Sequence, residues 1–180
     1  MLAYRKIILF IFTLLVGIWF ACEDVDYQLD NFSDPVNLDL TPPAIFFHPA
    51  SKSIGVNDTF SLKLYSYDLP SVAAAHLQVL YDWKRLRVDS VITDTLFRIE
   101  VDPLLFVDTA SAGTLDVFLF AIPTLSEENV LGTDAMARLF FYNKLPGITE
   151  LSYGSGTKIV DAQNNPVEII SKGKATVDAQ

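Results

Sequence analysis

Thr59-Phe60-Ser61-Leu62-Lys63-Leu64-Tyr65-Ser66-Tyr67 is the stretch on which the fold turns. Phe60, Leu62 and Leu64 fall on one side of an extended chain, while Ser61, Lys63, Tyr65 and Tyr67 fall on the other. Alternation with a period of two places a half-buried strand here, its aliphatic side toward a core. Outward from it the same kind of segment recurs at residues 44–48, 77–82, 86–92, 96–101, 114–122, 135–142, 148–153, 157–160 and 167–170. That makes about ten short strands, separated by turn formers such as Val56-Asn57-Asp58, Ser111-Ala112-Gly113 and Gln163-Asn164-Asn165-Pro166. Residues 70–75 form the one local helix candidate, a single turn. The class is therefore all-β: a two-sheet antiparallel β-sandwich with a jelly-roll or Greek-key path.

The N-terminus reads differently. Arg5 and Lys6 precede an apolar run, residues 7–20, that is as long as a signal-peptide core and shorter than the roughly 20 residues of a membrane span. Ala21 and Cys22, the sole cysteine, follow at once. Ile18-Trp19-Phe20-Ala21-Cys22 resembles a bacterial lipobox, which implies acylation of Cys22 and cleavage before it. An uncleaved anchor helix and an ordinary secretory signal are the alternatives. The division is then a lipoprotein signal peptide at 1–21, a lipidated acidic tether at 22–43, a β-sandwich at 44–170 and a loose tail at 171–180. The implied location is the cell envelope, by lipid anchor, at the outer membrane or cell surface.

The net charge of −9 argues against nucleic acid and against electrostatic attachment to anionic lipid. Catalytic chemistry finds no foothold. His48 and His76 sit in no metal-binding or catalytic grouping, and no phosphate-binding glycine loop or nucleophile elbow occurs. Asp82, Asp89, Asp94, Glu100, Asp102 and Asp108 offer no pair that stands out as hydrolytic carboxylates. The reading is of a non-enzyme with neither cofactor nor metal of its own.

Four pieces in order resemble a cohesin domain, the β-sandwich module that binds dockerins and is related in fold to some cellulose-binding modules. Val56-Asn57-Asp58-Thr59-Phe60-Ser61-Leu62 is similar to the family's Val-Gly-Asp turn and strand, with Asn57 in the place of glycine. Leu77-Gln78-Val79-Leu80-Tyr81-Asp82 followed by Leu86-Arg87-Val88 resembles its strand, corner and strand, with Trp83 where proline is usual. Residues 135–142 lead through Pro146-Gly147 into Ile148-Thr149-Glu150-Leu151, and residues 159–167 look like the closing hairpin. The resemblance implies a non-catalytic protein-binding module whose partner is an exported, dockerin-like protein, with calcium, where involved, in the partner's loops. Polysaccharide binding and an envelope structural role are the alternatives.

In the family the partner docks on one sheet face, which resembles a sheet built here from residues 59–67, 114–122, 135–142 and 86–92. Parity then selects the outward positions: Lys63, Tyr65 and Tyr67; Asp116, Phe118 and Phe120; Met136, Arg138, Phe140 and Tyr142. Aromatics, methionine and arginine are the composition of an interface core. Three outcomes stay open for this face: an exposed docking surface, a second small core under a loop at 102–112 or 125–131, or a strip for stacking on sugar rings.

Overall fold

The computed structural model describes residues 39–97, 102–122 and 130–180. The expected signal peptide, Cys22 and the expected tether as far as residue 38 lie outside the described residues. Two sheets face each other across one apolar core. The first has the order β14 (Ser171–Lys172), β1 (Ala44–His48), β3 (Thr59–Tyr67), β10 (Ala135–Asn143), β6 (Leu86–Thr93). The second contains β13 (Pro166–Val167), β12 (Lys158–Val160), β5 (Ala74–Leu80), β11 (Gly147–Tyr153), β15 (Ala175–Ala179) and β2 (Ser51–Ile54). Its other flank is β8 (Thr114–Phe120) against β5, with β7 (Leu104–Asp108) outside β8. Pairing is antiparallel except for β1 with β14 and β2 with β15. A two-stranded piece joins β4 (Leu69–Val72) to β9 (Val130–Gly132).

The alternation of β3 is realised as expected. Phe60, Leu62 and Leu64 are buried, and their ladder partners on β10 are Phe141, Leu139 and Ala137. From the second sheet Leu77 and Val79 of β5 and Leu115, Val117 and Leu119 of β8 meet them, all without exposure. Aromatic rings lock the two sheets: Phe47 of β1 stacks on Tyr153 of β11 with centroids 4.6 Å apart. Asn57 takes a left-handed backbone, φ 67°, so the turn before β3 uses asparagine where only small or amide side chains sit without strain.

Several expectations are corrected. Residues 171–180 are no loose tail. β15 is an interior strand between β11 and β2, with Ala175, Val177 and Ala179 buried. Ala-Thr-Val-Asp-Ala alternates, but it is short and two of its three apolar side chains are only methyl groups, and its burial comes from pairing with its neighbours β11 and β2. Residues 70–75 form no helical turn but belong to β4 and β5, and a short 3-10 turn, Thr95–Phe97, occupies the start of the strand expected at 96–101. Residues 98–101 lie outside the described residues. Within 102–112 the chain covers no face: it forms β7, which widens the second sheet.

Candidate functional site

The ten residues selected by parity do not share a face. β8 pairs with β5 and β7, so Asp116, Phe118 and Phe120 belong to the second sheet, while Lys63, Tyr65, Tyr67, Arg138, Phe140 and Tyr142 lie on the first. Alternation reveals which side of a strand is wet, but carries no information about which sheet the strand joins. Met136 is a second correction. The ladder between β3 and β10 slips between Ala135 and Ala137, which pair with adjacent residues Tyr65 and Leu64. Met136 is therefore the extra residue of a bulge, and its side chain enters the core with no exposure.

The outer face of the first sheet is largely satisfied by its own contacts. Tyr65 stacks on Phe46, centroids 5.3 Å apart, and His48 meets Tyr65 edge-on. Lys63 and Arg138 both reach Asp94, at 3.7 and 3.2 Å. Arg87 lies over the ring of Tyr142, whose hydroxyl donates to Asn57 Oδ1. Burial and the Lys63 charge hold the His48 imidazole below the usual histidine range, which keeps it neutral among these rings. Arg138, Lys63 and the tyrosines are half-buried, and Ile92 is the large apolar side chain most open to solvent here.

The outer face of the second sheet is more open and more apolar. Its ladders set three rows across the strands. Phe106, Phe118, His76 and Lys158 form one row; Leu104, Phe120, Ala74 and Val160 the next; Asp108, Asp116 and Gln78 the third. Leu104 is 50% exposed, Phe106 59% and Phe120 39%. Where Ala74 stands between Phe120 and Val160 the surface dips into a depression of about 270 Å³, walled by Phe118, His76 and Lys158. Short alanine side chains between large ones make the dip.

At the middle of this face His76 Nε2 lies 2.6 Å from Asp116 Oδ1, and the imidazole stacks on Phe118 with centroids 4.3 Å apart and planes 12° apart. Gln78 Nε2 donates to the same carboxylate oxygen at 3.2 Å. The Gln78 side chain is itself fixed, because Gly156 N–H donates to its Oε1. A Cβ on Gly154 would press on the Gln78 side chain and displace it from this position. Sequence parity gives His76 as exposed; the structure half-buries it against a ring and an acid from a strand 40 residues away. The only cue in the sequence is that His76, Gln78, Asp116 and Phe118 sit at the polar or aromatic positions of two alternating strands.

Among the described residues no hydroxyl or thiol is hydrogen-bonded to His76. No group of three or more His, Cys, Asp or Glu among the described residues is placed to hold a metal ion.

No protein-family model and no curated protein matches the sequence. Solved structures do match by fold. The CaCohA2 module of Clostridium acetobutylicum is similar with a TM-score of 0.64 at 16% identity, over 76% of this chain and 91% of that one. A non-cellulosomal cohesin from the hyperthermophilic archaeon Archaeoglobus fulgidus gives 0.62 at 15%, over 76% and 90%. A chain of the Coh-OlpA-Doc918 complex of Clostridium thermocellum, a type I cohesin–dockerin complex, gives 0.63 at 12%, over 76% and 99%. Each of these modules is covered almost end to end, and the likeness is one of fold: the chain has a β-sandwich fold similar to that of cohesin modules.

Proposed function

We propose that the chain is a non-catalytic binding module that docks another exported protein, of dockerin type, on the outer face of its second sheet. The observation that carries this reading is the continuous strip Leu104, Phe106, Phe118 and Phe120 around the His76–Asp116 pair. Apolar rings with a few fixed polar groups at the centre are the anatomy of an interface core, and large exposed apolar patches are uncommon on monomers. The cohesin-type fold supports the choice of a protein partner, because a module of the same fold is found in a cohesin–dockerin complex. Three of the residues picked out by alternation, Asp116, Phe118 and Phe120, belong to this strip; Leu104, Phe106, His76 and Lys158 join them.

The same reading places the module at the envelope. Cys22 takes the lipid, the acidic segment 22–43 with Pro42 and Pro43 at its end serves as the tether, and the apolar strip supplies affinity. Its test is capture from an exported-protein fraction with the full chain as bait, run with calcium and with chelator. Capture that the chelator abolishes, of a protein whose sequence carries calcium-loop spacing, is the expected result. Retention on insoluble polysaccharide with no protein captured would overturn it.

A further inference from the structure

Each sheet ends in strands whose outer backbone groups are unpaired, and such edges recruit other chains unless something blocks them. Most edges of this molecule are blocked. β13 is two residues long and begins with Pro166; β14 is two residues long and ends with Lys172. β2 reads Ser-Lys-Ser-Ile, and β6 carries Arg87 and Asp89 beside a slip in its ladder with β10.

β7 has none of these devices. Leu104-Leu105-Phe106-Val107-Asp108 contains no proline, glycine or cation, and it pairs with β8 at all five positions without a bulge. Among the described residues no strand pairs with its other edge. Phe106 on the outer face is 59% exposed and Val107 on the opposite side 43%, while Leu105 beside Val107 packs against the core.

We infer that β7 pairs antiparallel with β7 of a second copy of this chain, about a two-fold axis at Phe106. The strand is its own complement in that register. Phe106 meets Phe106 on one face with Leu104 against Asp108 at either side of it, Leu105 meets Val107 on the other, and the aromatic and branched cross-strand pairs are favourable. An acidic chain of net charge −9 resists most self-contacts. Here the two Asp108 carboxylates fall at opposite ends, about 13 Å apart along the strand, beyond the ~8 Å screening length of physiological salt. The contact is isologous, so assembly stops at two. Five residues bury less than the about 800 Å² per partner of stable complexes, so the dimer is weak and concentration-dependent. This inference does not depend on the docking partner.

The test is sedimentation velocity of the full chain in detergent, with wild type, Phe106→Lys and Ile148→Lys compared. Ile148 is 69% exposed on β11 and serves as the control. Dimerisation below about 1 mM, lost in Phe106→Lys and kept in Ile148→Lys, is expected. A monomer throughout, or equal loss in both variants, overturns the inference. Phe106→Cys in a Cys22→Ser background gives a second readout. The two Cα atoms in the paired strands stand about 4.5–5.5 Å apart, within disulfide reach, so oxidation yields a covalent dimer. Failure to cross-link faster than Ile148→Cys in the same background counts against it.

Discussion

His76 and Asp116 stand on neighbouring strands one diagonal step apart, their side chains 2.6 Å from one another on the most apolar open face of the molecule. Both side chains are partly shielded, at 29% and 21% exposure, and Gln78 and Phe118 leave them little freedom. A polar pair held this firmly amid exposed rings fixes orientation for whatever docks there, while the rings contribute the apolar area.

Replacing Asp116 with Ala separates the two roles. The pair is only partly shielded from solvent, so stability falls by no more than about 1 kcal/mol, read by chemical denaturation. Partner capture falls about tenfold, because His76 and Gln78 lose the acceptor that orients them.

Met136→Ala distinguishes the bulge from simple alternation. A buried methionine reduced to alanine costs about 2–5 kcal/mol, whereas an outward residue on a regular strand costs within about 0.5 kcal/mol. Urea denaturation of the variant is expected to show the larger loss.

Ending the chain at Ile170 removes β15 from between β11 and β2 and uncovers the core beneath Val177. The truncated chain is expected to lose its cooperative thermal transition. Removal of a loose tail would leave that transition unchanged.

Tyr153 supplies a pH signature. It is half-buried with its ring against the core, its hydroxyl donates to Phe46 O at 3.1 Å, and desolvation raises its pKa well above the usual 10.0. The folded state therefore keeps a proton that the unfolded chain gives up. The stability from this group is fully present below pH 10 and is lost as pH rises from there through the folded pKa. Tyr153→Phe costs about 1 kcal/mol at neutral pH for the lost hydrogen bond. The gap between the two proteins, followed by denaturation, closes as pH rises above 10.

Strand positions and their wet and dry sides were legible wherever a segment alternates strongly, as in β3, β5 and β8. Sheet membership was not, because β8 finds β5 and β7 through contacts that no local pattern encodes. β2 is polar and carries no periodic signal, and the alternation of β15 is brief and built on small alanines; both form because a neighbour offers them a ladder. The bulge at Met136 reversed one side chain for a reason internal to the β3–β10 register. Phe118 and Phe120 were recognisable as outward aromatics, whereas Phe106 and His76 gained meaning only from the strands beside them.

The central claim is that the second sheet, and not the first, meets the partner. The direct measurement is capture of the exported partner by the full chain in three forms: wild type, Phe118→Ala with Phe120→Ala, and Tyr65→Ala with Phe140→Ala. Loss of capture in the second-sheet variant with retention in the first-sheet variant is the predicted result. Capture that survives the Phe118 and Phe120 substitutions but fails with those at Tyr65 and Phe140 would contradict it.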